Sequence, residues 1–213
     1  MPVVFELPMR VAAATKTGMA EANISDIRTL LIFADPALER GRVSASMADA
    51  VRDLPGLTVH DLYEVYPDFS IDVPAEHRLM YDNDLIVLHF PLYWFSIPSL
   101  LKEWMDLSWS RGFAFGEGAK LKGRTLMCAV STGANRDAYE NGVYRFPLGE
   151  FLRPLQEAAG YCGLDWVEPF VLHGAQAREL EGMEKGMALY RRRLEKTIAA
   201  MTPAPRKAPK AVA

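Results

Sequence analysis

The length, composition and charge of the chain exclude several classes of protein. It has 213 residues, half of them hydrophobic, which is enough to bury the core of one full domain. The 24 Lys and Arg residues against 27 Asp and Glu residues give a formal net charge of −3. Because the Lys and Arg residues form no dense basic stripe in the sequence, nucleic acid is not expected as a partner. No apolar run reaches the roughly 18 residues that a membrane span requires.

The cysteines and the first residues predict a cytoplasmic protein. Cys128 and Cys162 lie far apart in the sequence, without CxxC spacing and without histidines at zinc-ligand spacing. We therefore predict packed thiols in a reducing compartment and no metal site. Residues 1–27 contain no clear signal-peptide core.

The chain divides into three predicted parts. Residues 1–27 show no firm hydrophobic period and are predicted to be an amino-terminal arm. Residues 28–201 are predicted to form one α/β domain. Residues 202–213 consist mainly of Pro, Ala and Lys and are predicted to be a disordered tail.

Within the predicted domain, five strand-like runs alternate with five stretches of helical periodicity. The strands are predicted at Thr29–Ala34, Leu57–Asp61, Asp84–Phe90, Thr125–Ser131 and Trp166–Leu172. The helices are predicted at Val43–Leu54, Ala75–Tyr81, Ser96–Ser108, Gly149–Cys162 and Glu179–Met201. Such alternation predicts a three-layer α/β sandwich, with a parallel sheet covered by helices on both faces. The length, and the absence of GxGxxG after the first strand, favour a five-stranded sheet with strand order 2-1-3-4-5.

The loop after the first strand has features of a phosphate site. Asp35 follows the strand, and Gly41, Arg42 and Ser44 lead into the next helix. Backbone amides at a helix start, a glycine that permits close approach and a hydroxyl group together suit a phosphate. An ordinary turn between a strand and a helix explains the same residues.

The loop after the third strand is unusually aromatic. It consists of Pro91, Leu92, Tyr93, Trp94 and Phe95. It is interpreted either as a hydrophobic plug over the sheet edge or as a rigid wall for a flat ligand. The following helix is predicted to begin with Ser96 as its N-cap and Pro98 in its first turn.

The loop after the fourth strand offers small polar groups. Ser131, Thr132, Gly133 and Ala134 combine two hydroxyls with main-chain amides that a ligand can approach, although a simple turn explains them equally well. In a 2-1-3-4-5 sheet, all three loops leave the carboxyl edge near the topological switch point. An isoalloxazine ring with a ribityl phosphate tail matches this combination of loops.

Several stretches in order resemble one known family. They are DLYEVYPDFSID, PLYWFSIPSLLKEWMDLSWSRGFAFGEG, LKGRTLMCAVSTGA and PLQEAAGYCGLDWVEPFVLHG. Over roughly Thr29 to Ala200, the chain resembles the flavodoxin-like NAD(P)H:quinone oxidoreductases. The bacterial branch that includes the ancillary flavoproteins of glutathione-regulated potassium efflux is the most similar. The resemblance implies a flavodoxin-like fold, a homodimer, bound FMN or FAD, and hydride transfer from NAD(P)H to the flavin and then to a quinone.

The resemblance also implies roles for individual residues. The aromatic loop Pro91–Phe95 would line the flavin ring, and Ser131–Ala134 would hydrogen-bond its polar edge. Tyr139 would cover the open face of the ring, with Tyr144 nearby as the second catalytic residue. The phosphate end of the flavin would contact a further set of residues: Asp35, Arg42 and Ser44.

The chain departs from the family at four of these positions, of which Ala134 in place of a second glycine is a mild change. Asp35 replaces a usual histidine, Ser44 replaces a frequent asparagine, and Tyr144 replaces a histidine that stabilises charge on the reduced ring. A carboxylate near a phosphate is predicted to weaken flavin binding. A tyrosine donates a hydrogen bond but carries no positive charge, so stabilisation of the reduced flavin is predicted to be weaker.

Other residues and functions were weighed against these. His89 is interpreted as a core histidine, while His60, His77 and His173 lie in separate elements and form no metal constellation. The aromatic set Trp104, Trp109, Phe113 and Phe115 suits either the core or a subunit interface, and the resemblance favours the interface. The alternative function is that of a regulatory subunit, associated peripherally with a potassium-efflux transporter in the membrane, with little or no turnover of its own.

Overall fold

The computed structural model describes residues 26–36, 42–175 and 180–203. The predicted arm 1–27 therefore lies almost wholly outside the described residues, as does most of the predicted tail 202–213. Five residues of the first loop, 37–41, also lie outside them.

The described residues contain five strands and seven helices. The strands are β1 Thr29–Phe33, β2 Leu57–Asp61, β3 Leu85–Pro91, β4 Thr125–Ser131 and β5 Asp165–Leu172. The helices are α1 Arg42–Asp49, α2 Leu62–Val65, α3 Val73–Asp82, α4 Ser99–Ser108, α5 Arg136–Glu140, α6 Leu148–Tyr161 and α7 Leu180–Ala199.

The strands form one parallel sheet in the order β2-β1-β3-β4-β5, which confirms the predicted topology. β1, β3 and β4 are buried along their whole length, as expected of central parallel strands covered on both faces. β5 is an edge strand and is less buried. Since every strand runs in the same direction, all of the carboxyl ends lie at one edge of the sheet.

Alternate residues of the central strands point into two separate cores. Leu30, Ile86 and Leu88 pack on the face that also receives Trp104 of α4 and Leu155 of α6. Leu31, Leu85 and Val87 pack on the opposite face, and the residues that cover them from α1 and α7 include Met47, Ala48, Tyr190 and Leu194. This period of two residues follows from the strand geometry.

The predicted start of the helix after the aromatic loop, which is α4 in the structure, was wrong. Ser96 does not cap α4; its main-chain N–H and carbonyl instead pair with Tyr93 at 3.0 and 3.1 Å. Pro98 has extended backbone and stands as the N-cap, and the helix begins at Ser99. The ring of Pro98 fixes φ and it has no N–H, so the proline suits the residue before the first helical turn.

Two short helices were not predicted. In α2, the Asp61 side chain accepts hydrogen bonds from the main-chain N–H groups of Tyr63 and Glu64 at 3.0 and 3.3 Å. In α5, the Asn135 side chain accepts one from Ala138 at 3.0 Å. Both helices are too short to show a hydrophobic period, but each follows a strong capping residue.

The interface assignment for the tryptophan-rich segment was wrong for most of its residues. Trp104 is fully buried within the chain, and Trp109 and Phe113 are buried as well. Phe115 is partly buried against the same core. These side chains cover the sheet face below α4, so the aromatic pattern reports core packing.

Two negative results apply to the described part of the chain. None of its helices combines the length and apolar character that crossing a membrane demands. Within residues 26–36, 42–175 and 180–203, no group of three or more His, Cys, Asp or Glu side chains is arranged to hold a metal ion.

A buried carboxylate joins three elements beneath the sheet edge. Glu76 of α3 is fully buried. Its carboxylate accepts hydrogen bonds from His60 Nε2 at 2.9 Å, from the Tyr66 hydroxyl at 2.5 Å and from Trp104 Nε1 at 2.7 Å. Burial alone would raise the pKa of Glu76, but these hydrogen bonds outweigh it, so the pKa lies below its usual value.

We expect Glu76→Gln to destabilise the fold by about 3 kcal/mol, since hydrogen bonds to a buried charge are lost. A glutamine amide has only one acceptor oxygen, and the Trp104 N–H can only donate, so the bonds from His60 and Tyr66 are lost or have to be reversed. The measurement is urea unfolding, with the exposed Glu103→Gln as the matched control.

The pH dependence of this effect has a defined sign. The folded-state pKa of Glu76 is lowered, so its contribution is fully present above the unfolded glutamate pKa of about 4.3 and is lost as the pH falls through the folded value. The stability gap between wild type and Glu76→Gln should therefore narrow in acid. A gap that stays constant down to the acid transition would contradict an ionised Glu76.

Candidate functional site

A cavity of about 780 Å³ opens where the carboxyl ends of β1, β3 and β4 meet. This volume falls within the usual range for small-molecule and cofactor sites. The cavity brings together every residue predicted for the site except Arg42. The lining residues are Asp35, Val43, Ser44, Pro91, Leu92, Tyr93, Trp94, Phe95, Ser131, Thr132, Gly133, Ala134, Tyr139, Tyr144 and Ala175.

The end of β1 places a buried acid in the cavity wall. Asp35 is only 2% exposed, and its Oδ1 accepts a hydrogen bond from the Tyr93 hydroxyl at 3.3 Å. Burial and the nearby charge of Asp35 raise the pKa of Tyr93 to about 12. The predicted Gly41 lies outside the described residues, as does the side chain of Arg42.

Two buried hydroxyls connect the first and fourth loops. Ser44 lies in the first turn of α1 and Ser131 ends β4, and their Oγ atoms are 2.9 Å apart. Both side chains are almost fully buried and line the cavity. This contact fixes the start of α1 against the β4 loop.

The aromatic loop is a tight two-residue turn with unusual backbone. Tyr93 and Ser96 form an antiparallel bridge, and the two residues between them have positive φ, 50° at Trp94 and 62° at Phe95. A type I′ turn has this pattern and normally contains Asn-Gly. Large side chains here cost about 1–2 kcal/mol each, and such strain is typical of functional sites.

The two aromatic side chains of this turn have different surroundings. The Phe95 ring lies 5.1 Å from the Tyr144 ring and 5.0 Å from the Phe151 ring, measured between centroids. Trp94 is 93% exposed. The turn therefore holds one ring in an aromatic cluster and presents the other at the mouth of the cavity.

The end of β5 anchors the β4 loop. The N–H of Gly174 donates to the carbonyl of Ala134 at 2.7 Å, and the N–H of Ala175 donates to the carbonyl of Thr132 at 2.8 Å. Gly174 has φ of 68°, a conformation that glycine adopts without strain. These bonds hold the main chain of the polar loop in place before any ligand binds.

Helix α5 then carries Tyr139 into the cavity. Its ring centroid lies 5.0 Å from that of Tyr144 and 5.5 Å from the His173 ring. Burial raises the pKa of Tyr139, and a hydrogen bond with Thr132 partly offsets this effect. The two predicted catalytic tyrosines therefore lie together, next to the aromatic turn.

His89 lies in the core, as predicted. It is fully buried, with the rings of Phe33 and Tyr190 edge-on at 5.4 and 5.5 Å. Burial lowers its pKa to about 3, so the imidazole stays neutral. It does not line the cavity.

The sequence did not identify Val43, Ala175 or His173 as residues near the site. Val43 and Ala175 line the cavity, and His173 contacts Thr132. The predicted sheet order gave a usable signal for the last two, because it placed β5 beside β4 and hence their carboxyl-terminal loops side by side.

The fold and the cavity together define a flavodoxin-like protein, with a 2-1-3-4-5 parallel sheet and a site at its switch point. The family model described as "Flavodoxin-like fold" matches residues 27–198, and the chain belongs to this family.

Three relatives show the extent of the similarity. The glutathione-regulated potassium-efflux system ancillary protein KefG of Cronobacter sakazakii is 38% identical over 167 residues, which cover 78% of this chain and 91% of that protein. General stress protein 14 of Treponema denticola, solved in complex with FMN, has a TM-score of 0.74 and 38% identity, covering 80% of this chain and 99% of that one. A protein of P. pentosaceus described as an NADPH-quinone reductase has a TM-score of 0.72 and 31% identity, covering 78% and 97%.

The strained turn generates a stability prediction for the protein without cofactor. We expect Trp94→Gly to be more stable than Trp94→Ala by about 0.5–1 kcal/mol, because glycine relieves the positive φ and alanine does not. Both variants remove the same indole, so the difference in stability between them comes from the backbone conformation at position 94. Urea unfolding measures it.

Tyr161 provides the control, since it is exposed and ends helix α6. There the order should reverse, with alanine more stable than glycine by about 0.5–1 kcal/mol. If glycine is also the less stable residue at position 94, the turn carries no strain of this kind.

Proposed function

We propose that the protein is a flavin-dependent oxidoreductase that passes a hydride from NAD(P)H to bound flavin and then to a quinone or a similar acceptor. The observation that carries the proposal is the single cavity in which an aromatic turn faces a loop of hydroxyls and amides. A flat ring with an apolar face and a polar edge needs aromatic contact on its face and hydrogen bonds at its edge. The FMN complex of the Treponema relative and the description of the P. pentosaceus relative support the same assignment.

The residues present fit a flavin at each part of the cavity. The rings of Tyr93, Trp94 and Phe95 offer apolar contact, and within the Ser131–Ala134 loop the main-chain amides of Gly133 and Ala134 offer hydrogen bonds to a polar ring edge, since the Thr132 N–H and hydroxyl already donate within the protein. The first turn of α1, with Ser44, offers amides and a hydroxyl to a phosphate. When bound, the flavin would supply the hydride acceptor and donor, which no side chain here provides.

The protein's own residues would bind, orient and exclude water. The pre-formed β4 loop holds its donors in place, which lowers the cost of ordering on binding. Tyr139 and Tyr144 wall one side of the cavity and offer hydroxyl groups to a substrate. We include a homodimer in the proposal, on the basis of the resemblance to the quinone oxidoreductases.

A second candidate function is a regulatory role on a potassium-efflux transporter. The similarity to an ancillary protein of such a system over 91% of its length favours it. The two functions differ in turnover. Flavin-loaded protein that oxidises NADPH in the presence of a benzoquinone supports the enzyme. Negligible oxidation together with co-sedimentation with membranes supports the regulatory protein.

The flavin assignment predicts the effect of Trp94→Ala. Loss of the indole should weaken FMN binding about tenfold, since one aromatic stacking contact contributes up to about 1.5 kcal/mol. The measurement is quenching of FMN fluorescence by the cofactor-free protein. Tyr161→Ala, which removes an exposed ring outside the cavity, should bind FMN like the wild type. Equal affinity in wild type and Trp94→Ala would rule out stacking on this residue.

Asp35 should limit the affinity for FMN. A carboxylate about 6 Å from a phosphate charge costs at most about 3 kcal/mol at an effective dielectric constant near 20. Asp35→Asn should therefore tighten FMN binding, and the gain should shrink as salt is added. The exposed Asp106→Asn is the control for a change in net charge alone. If Asp35→Asn binds FMN no more tightly than Asp106→Asn at low salt, Asp35 does not face the phosphate.

A further inference from the structure

His173 lies at the end of β5, in contact with two residues of the cavity. Its Nδ1 is 3.3 Å from the Thr132 hydroxyl oxygen, and its ring centroid is 5.5 Å from that of Tyr139. Thr132 is buried and, together with Tyr139, lines the cavity. Thr132 is thus hydrogen-bonded both to the histidine and to Tyr139.

The hydrogen bonds of Thr132 define what His173 contributes. A threonine hydroxyl has one proton and two lone pairs. That proton is donated to the carbonyl of Ala134 at 2.8 Å, and the same oxygen lies against His173 Nδ1. With that proton engaged, Nδ1 can bond to the same oxygen only by carrying a hydrogen and donating it to Thr132. The remaining lone pair of the oxygen is left to accept from Tyr139.

Charged groups from three neighbouring elements share a second cavity with the imidazole. A second cavity of about 740 Å³ is lined by His173 and shares the Tyr139 wall with the first. The charged residues lining it are Arg136 and Glu140 of α5, Glu168 of β5, and Lys185 and Arg193 of α7. Arg136 pairs with Glu140 at 3.3 Å, and Arg193 donates to the main-chain carbonyl of Glu168 at 2.9 Å. Both signs of charge are therefore present in the cavity that His173 lines.

We propose that His173 is a positioning residue, which holds the Thr132 hydroxyl as an acceptor for Tyr139 and thereby orients the phenol in the cavity. The histidine does not itself line this cavity; it acts through Thr132. The inference deepens the proposed function and rests on it where substrate is concerned, because Tyr139 is placed at the proposed flavin site. The orientation of the hydroxyls is a property of the protein without cofactor.

The hydrogen bond between Thr132 and Tyr139 affects the pKa of Tyr139. When the phenol ionises, the Thr132 proton can turn from Ala134 to the phenolate, while His173 continues to donate to Thr132. Stabilisation of the charged form lowers the pKa of Tyr139, against the larger effect of burial. Removal of the histidine donor should therefore raise the pKa of Tyr139 further.

The first test measures the tautomer of His173 in the cofactor-free protein. Nitrogen–proton correlation spectra of protein with isotope-labelled histidine distinguish a protonated Nδ1 from a bare one, with His173→Asn used for assignment. We expect a hydrogen on Nδ1 in the neutral imidazole. A bare Nδ1 would overturn the proposal, because Thr132 would then have to donate its proton to the histidine and could not donate it to the carbonyl of Ala134.

The second test compares two amide variants. The Asn amide nitrogen occupies the place of Nδ1, whereas that of Gln reaches the place of Nε2, so His173→Asn should keep the donor and His173→Gln should lose it. With a carbon label at the tyrosine ζ position, and Tyr139→Phe for assignment, the pH midpoint of Tyr139 ionisation should rise in the Gln variant and stay near wild type in the Asn variant. Equal midpoints in all three proteins would overturn the proposal.

The third test uses flavin-loaded protein with NADPH and a benzoquinone. His173→Gln should lower kcat roughly tenfold, below the roughly 10²–10⁴ that a direct acid or base contributes, and His173→Asn should restore most of it. In a Thr132→Val background the Gln substitution should have no further effect. Equal losses in the Asn and Gln variants would overturn the proposal. Absence of flavin binding in the wild type would instead overturn the proposed function and leave the two spectroscopic tests in force.

Discussion

Parallel pairing of five strands is the constraint on which the other features of the site depend. Because all strands point the same way, the loops after β1, β3 and β4 leave the same edge of the sheet, and the order β2-β1-β3-β4-β5 makes them neighbours. The central strands are wholly buried, so these loops cannot shift without disturbing both cores. A phosphate-type helix start, an aromatic turn and a polar loop therefore meet at fixed positions.

Several polar groups at this edge obtain their partners within the protein. Ser44 and Ser131 bond to each other, and the main-chain groups of Thr132 and Ala134 bond to the end of β5. Buried polar groups without partners would cost about 1–3 kcal/mol each. The same rule applies to Glu76 on the other side of the sheet edge, where three donors surround one carboxylate. In both places, satisfied hydrogen bonds produce rigidity as well as stability.

The sequence predicted the sheet order and most of the cavity wall, for identifiable physical reasons. Alternation of apolar runs with helical periods determines a parallel sheet, and the sheet order then places Asp35, Pro91–Phe95 and Ser131–Ala134 together. These inferences use only local pattern and topology. The start of α4 at Ser99 escaped prediction because the Tyr93–Ser96 bridge, a local turn with positive φ at two bulky residues, contradicts ordinary propensity.

The remaining errors concern tertiary contacts. Nothing in the periodicity of α4 distinguishes a tryptophan that faces a partner subunit from one that donates to a buried glutamate, as Trp104 does. The Glu76 network joins residues of β2, the end of α2, α3 and α4. The most distant of them in the sequence, His60 and Trp104, are 44 positions apart. Long-range hydrogen bonds of this kind leave no local pattern in the sequence.

The position of His173 illustrates how a histidine can reach the neighbourhood of a site from another element. The sequence comparison looked for a histidine at position 144, in the loop after β4, and found a tyrosine there. The structure places an imidazole against that loop from the neighbouring strand, with Thr132 between it and Tyr139. A missing residue in a motif is therefore weak evidence for a missing interaction, because adjacent parallel strands bring their terminal residues to the same edge. The chemistry of this site depends on the hydrogen-bonding groups near Tyr139, whichever element supplies them.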